Sequence, residues 1–343
     1  MSKPLLRLSS SAPSASSLHE VKPLVRRRRL VLMAVCASAA DLAWPIDKPK
    51  RIGILGFGAR TPRSLATFVA RMAELGWKEG PDYIVEWRVT AGKPERLADA
   101  AAELVVRRVD VFLCFSTAMT QAVRRATATI PIVMSGVSDP VASGLVRSLA
   151  RPDGNITGFS SVGEHLNEKR LGLMRELLPA IRTLAVIWSA EDATHSREMQ
   201  QIEAVAPKLG LEVRRVELSR VEDIALVFEK LQRNPPGAVL LLGNVWNGGG
   251  PPERAALNAG LPMFAYSRHY AESGALLAYG PDYEALDGDA AGYIVKIFKG
   301  AKVADLPIQQ PTKFELVINL KTARALGLSV PPKLLLRADA VVE

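Results

Sequence analysis

From Lys50 onward, short apolar runs alternate with longer amphipathic stretches. "KRIGILGF" (50–57), "YIVEWRVT" (83–90), "DVFLCFS" (110–116) and "IPIVMSG" (130–136) are rich in Val, Ile, Leu and Phe and read as strands. Between them, "PRSLATFVARMAELG" (62–76), "ERLADAAAELVVRRV" (95–109) and "TAMTQAVRRAT" (117–127) read as helices. In the second of these, Leu97, Ala101, Leu104 and Val105 share one face. "PVASGLVRSLA" (140–150) is expected to be a helix too, with Asp139 as N-cap and Pro140 at the first helical position.

"RPDGNITG" (151–158) carries Pro, Asp, Gly and Asn, turn chemistry suited to a crossover. The alternation then restarts. Strands are expected at "RTLAVIWS" (182–189), "LEVRRVEL" (211–218), "GAVLLLG" (237–243), "LPMFAYSR" (261–268) and "GALLAYG" (274–280). Helices are expected at 194–210, stopping at Gly210, and at 221–233, 251–260 and 282–302. "TKFELVINLKTARALG" (312–327) closes the series. Strands separated by helices point to βαβ units and parallel sheets. The chain therefore reads as α/β: two consecutive parallel-sheet lobes, each with its own core, and no internal repeat.

A chain of 343 residues is long enough for two such domains. Its formal net charge of +9 is unevenly spread. Residues 1–44 hold seven basic and two acidic residues, leaving 37 basic and 33 acidic elsewhere. That balance suits solubility and gives no footprint for a nucleic acid. "RRRR" (26–29), then "LVLMAVCASAA" (30–40), then small residues at Ala37 and Ala39, fit an export signal cleaved near 39–41. The apolar run of 11 residues is too short to span a bilayer. "RRRLV" (27–31) permits the twin-arginine route as well as the general one. Cys36 has a poor lipobox before it, and Cys114, the other cysteine, sits in an apolar run and reads as core.

In open α/β sheets, ligands bind beyond the carboxyl ends of strands, which gives a principled shortlist. After the first strand come Phe57 and Gly58, within a Gly56-Phe57-Gly58 turn. It is not a dinucleotide fingerprint, because Thr61 stands at the third glycine position and the next strand ends without an acid. After the third come Ser116 and Thr117, suited both to capping a helix and to facing a carboxylate or phosphate. After the fourth come Ser138 and Asp139, where a carboxylate could pair with a ligand amine. Trp188, Tyr266 and Tyr279 also end strands, as core residues or as pocket walls. His165, His195 and His269 lack ligand spacing, so no metal site is expected. "GFSSVG" (158–163) fails the nucleophile-elbow pattern, and no cofactor motif is found.

Four segments carry a family resemblance: "ELGWKEGPDYIVEWR" (74–88), "ATIPIVMSGVSDPVASGLVRSLARPDGNITGFS" (128–160), "GALLAYGPDY" (274–283) and "KGAKVADLPIQQPTKFELVINLKTARALGLSVPPKLLLRAD" (299–339). Together they resemble the periplasmic substrate-binding proteins of ABC transporters, in the tryptophan/tyrosine-binding-like branch. The resemblance implies a type I periplasmic-binding-protein fold with a ligand cleft between lobes and three crossovers. It places lobe 1 at 49–158 plus 274–306, and lobe 2 at 159–270 plus 307–343. It implies a monomer without cofactor, capturing a small molecule such as an amino acid or small carboxylate for an inner-membrane ABC permease. Phe57, Gly58, Ser116, Thr117, Ser138 and Asp139 would contact ligand from the first lobe, and Trp188 and Tyr266 from the second lobe and hinge. One departure is the glycine-rich "NVWNGGGPPERAALNAG" (244–260), shorter than the helix-bearing segment usual there, so the ligand stays open.

Two other readings stay on the table. A two-domain α/β enzyme using the same cleft would need a nucleophile or general-base pair, which no spacing supplies. A ligand-sensing regulator would need a DNA-binding headpiece, and residues 1–48 contain no helix-turn-helix pattern.

Overall fold

The computed structural model describes residues 48–343 apart from 59–64, 92, 162–165, 191–192, 219 and 244–250. The expected leader at 1–44 and the glycine-rich 244–250 lie outside the described residues. The first sheet is built from β1 (Lys50–Gly56), β2 (Tyr83–Val89), β3 (Val111–Cys114), β4 (Ile132–Val137) and β5 (Ile156–Ser160). Its order is β2-β1-β3-β4-β5, all parallel. Helices α1 (Ala66–Glu74), α2 (Leu97–Val106) and α3 (Thr117–Ala126) connect the first four strands.

Strand side chains alternate between faces, and that period sorts the core into two layers. Leu55, Phe112, Cys114 and Met134 pack beneath Leu104 of α2 and Met119 and Val123 of α3. Ile52, Ile54, Leu113 and Val133 face Phe68 and Met72 of α1 on the other side. Cys114 is fully buried, which pushes its thiol up to about 12 and leaves it inert.

The second lobe runs through α4 (Asn167–Leu177), β6 (Thr183–Trp188), α5 (Ala193–Val205), β7 (Glu212–Glu217), α6 (Ile224–Arg233), β8 (Ala238–Leu241), α7 (Pro251–Asn258), β9 (Met263–Ala265), α8 (Arg268–Ser273) and β10 (Leu277–Pro281). After α9 (Tyr283–Phe298) come β11 (Phe314–Asn319), α10 (Leu320–Ala325), α11 (Pro332–Leu335) and β12 (Ala340–Val342). The sheet order is β12-β11-β10-β9-β8-β6-β7. Its strands are parallel except at the β10–β11 junction, where the chain returns antiparallel.

Three sequence expectations change. Residues 140–150 do not form a helix. The Asp139 carboxylate does accept from the amides of Val141 (3.0 Å) and Ala142 (2.9 Å), as a cap should. The coil then stops after one turn, because Gly144 enters the left-handed region (φ 69°) and swings Leu145 and Val146 into the core. Second, "GALLAYG", expected in the first lobe within 274–306, forms β10, which pairs with β9 and β11 in the second sheet. Third, residues 156–160, spanning the expected crossover, form β5, which pairs with β4.

The chain thus leaves the first lobe after Ser160 and returns between Pro281 and Tyr283. There α9 lays Leu286, Ala290 and Ile294 against the α1 side of the first core. The final passage runs beside β5, where Thr157 Oγ1 donates to the Leu306 carbonyl (2.6 Å) and Gln309 exchanges backbone bonds with Gly158 and Ser160. The second and third passages are joined by Lys313, whose ammonium donates to Asp282 at 2.7 Å.

Candidate functional site

Because β1, β3 and β4 are neighbours in one parallel sheet, their carboxyl ends lie side by side. The fold therefore brings six sequence candidates to one edge: Phe57 and Gly58, Ser116 and Thr117, Ser138 and Asp139. Phe57 is partly buried against the first core, and the exposed Gly58 accepts the Trp87 indole N–H on its carbonyl (3.2 Å). Ser116 is the N-cap of α3, its hydroxyl accepting from the Met119 amide (3.2 Å). Thr117 is 2% exposed, and its hydroxyl has no hydrogen-bond partner. Ser138 is buried beside them.

Asp139 is differently engaged than a ligand anchor would be. One carboxylate oxygen takes the two backbone bonds already described. The other faces the Arg197 guanidinium of α5, in the opposite lobe, at 3.6 Å.

The second-lobe aromatics do not converge. Trp188 packs against the core layer containing Leu184 and Val186, with the Arg215 guanidinium 6.0 Å from its ring centroid. Tyr266 belongs to the layer on the opposite face of that sheet. Its hydroxyl meets that of Tyr270 at 3.0 Å, and its ring meets Tyr283 edge-on at 5.8 Å. Tyr279 stacks on Phe314. His195 has a structural part: its Nδ1 accepts from the Ser189 amide (3.0 Å), and Nε2 meets the Gly243 carbonyl.

Two residues that sequence reasoning passed over organise the hinge. Tyr283, at the start of α9, packs against both lobes. A side-chain carbon at Gly136 of β4 would lie 2.8 Å from the Tyr283 ring, and Gly136 has φ 77° at a β-bulge. Only glycine meets both demands without strain. Arg170 on α4 is 4% exposed. Its Nε donates to the Tyr279 carbonyl (2.8 Å) and Nη1 to Asn167 Oδ1 (3.0 Å), with the Glu198 charge nearby. The signal for Arg170 was its phase: with Asn167, Leu171, Met174 and Leu177 it lies on the buried side of α4.

Behind the first-lobe edge, α9 presents Asp287 to β4, where Ser135 Oγ donates to its carboxylate at 2.5 Å. Burial pushes the Asp287 carboxyl up to about 7; the Ser135 bond opposes this and the charges of Glu284 and Asp282 add to it. A raised carboxyl holds its proton in the folded state after the unfolded chain has lost it. Its contribution to stability should therefore fall as pH rises from about 4 to about 7 and level off above. Asp287→Asn is expected to flatten that slope and to gain on the order of 1–2 kcal/mol at pH 8, but nothing at pH 4. Urea melts at the two pH values would check this, and an equal effect at both would contradict it.

Residues 65–342 match the family model described as "ABC transporter substrate binding protein". The chain belongs to that family. This substrate-binding protein is 27% identical over 263 residues to a tyrosine-binding protein of Clostridioides difficile (strain R20291), covering 76% of this chain and 75% of that one. Its fold matches a conserved domain protein from Vibrio cholerae with a TM-score of 0.77 and 25% identity, over 86% of this chain and all of that one. It matches an ABC domain from Streptococcus pneumonia, in complex with L-Trp, with a TM-score of 0.75 and 23% identity over the same shares. A substrate-binding protein of this family takes a small-molecule ligand and works with a membrane permease.

Proposed function

We propose that this substrate-binding protein captures an amino acid between its lobes and delivers it to an inner-membrane ABC permease, acting as an exported periplasmic monomer. One observation carries the reading of the site: the Thr117 hydroxyl, buried and without a partner, at the first turn of a serine-capped helix on the strand-end edge. A buried polar group normally finds a partner, so a hydroxyl left open there is suited to one that arrives with the ligand. The first-turn amides of α3 favour a carboxylate at the same place. The amino-acid class is supported by the tyrosine-binding relative and the tryptophan-bound structure. The basic leader and short apolar run at 26–40 support export.

Calorimetric titration of the protein with amino acids and small carboxylates tests this. An amino acid is expected to bind, and Thr117→Val to weaken it roughly tenfold through the lost hydrogen bond while leaving the melting temperature nearly unchanged. No heat with any amino acid would overturn the ligand class, and undiminished affinity in Thr117→Val would overturn the site.

A further inference from the structure

We propose that Arg197 and Asp139 form a latch that holds the two lobes closed over the bound solute, with Arg197 setting how fast the solute leaves. Asp139 follows β4 in the first lobe and Arg197 lies on α5 in the second, so the ion pair spans the lobes. Moving the lobes apart at these two elements separates the pair. Its geometry is that of a prepared receptor on one side. The Asp139 carboxylate is fixed by the Val141 and Ala142 amides, so that half of the pair is in place before the lobes meet. Gly144 ends the turn after Asp139, so the carboxylate caps a single turn rather than the start of a helix.

The pair is partly exposed: the Arg197 side chain is 47% accessible and that of Asp139 35%. An exposed pair is weak and screened by salt. That suits a latch, because a strong one would trap the solute and prevent its transfer. In this latch the second Asp139 oxygen meets a cation of the protein rather than a ligand amine.

Arg197 is the informative position, because Asp139 also supports its own turn. The full chain with Arg197→Glu, which places two carboxylates together, is expected to shift ligand-free protein toward a larger radius of gyration in small-angle X-ray scattering. It should also release bound amino acid about tenfold faster, with Arg197→Ala about two- to fivefold faster and Arg197→Lys near wild type. Raising the salt to about 1 M should bring the wild type close to Arg197→Ala and leave Arg197→Ala unmoved. Equal dimensions for wild type and Arg197→Glu, or equal release rates with no dependence on salt, would overturn the latch. The inference rests on the lobes forming a ligand cleft but not on the ligand being an amino acid. The scattering measurement needs no ligand, so failure of the ligand class leaves the latch testable on its own.

Discussion

Replacing Arg170 by methionine is expected to lower the unfolding temperature by roughly 5–10 °C, at a cost of about 3 kcal/mol. Methionine retains the length and flexibility of the buried stem, so cavity formation contributes little. What is lost is the charge and its hydrogen bonds. Tyr279 O and Asn167 Oδ1 lose their donor, and the buried Glu198 keeps a charge that Arg170 had helped to balance. Arginine stays protonated at any physiological pH, so this support does not titrate away. Adding Glu198→Gln should recover part of the loss, because it removes the charge that Arg170 had helped to balance. Calorimetric melts of the two single variants and the double variant form the cycle. A melting temperature for Arg170→Met within about 2 °C of wild type would rule out the account.

Gly280→Ala should be at least as damaging, by about 3 kcal/mol or more. The added carbon would sit 1.9 Å from the Tyr266 carbonyl oxygen and 3.4 Å from Arg170 Nη2. Backbone, unlike a flexible side-chain end, cannot turn away, so β10 would have to leave β9 at the point where the chain departs for the first lobe. Gly292→Ala is the control. It lies inside α9 with no heavy atom within 4 Å of the added carbon, and should gain about 0.5–1 kcal/mol from reduced chain entropy. Denaturant midpoints separate the two outcomes, and a Gly280→Ala midpoint equal to wild type would disprove the close approach.

The alternation of strand and helix was legible because buried parallel strands must be apolar along their length. "VFLC" of β3 is wholly buried and reads as such. Sheet membership was not legible. β10 carries the same local pattern in either lobe, and its neighbours Phe264 and Ile318 are decided by pairing across the chain. The mistaken helix at 140–150 shows the limit of a start signature. Asp139-Pro140 sets up a first turn, but Gly144 only four residues on ends it.

The site divides in the same way. Strand-end position brought six residues to one edge, because topology alone places strand ends. Which of them is free for a ligand depended on partners in the other lobe, such as Arg197 opposite Asp139. Trp188 and Tyr266 look equivalent in sequence, both closing apolar strands. They part because side chains at strand ends still obey the alternation of faces, which sends them to different layers.

The return of α9 to the first lobe has a consequence for the order of events during synthesis. The α1 side of the first core, with Phe68 and Met72, is roofed by Leu286, Ala290 and Ile294, more than 200 residues later in the chain. A nascent chain emerging amino end first has all five strands of the first sheet long before it has that roof. Until α9 emerges, an apolar surface stays open and the amino-terminal half cannot close on itself. A polypeptide that must be nearly complete before its first lobe can settle remains threadable for most of its synthesis, while any leader at its amino end is already available to be recognised.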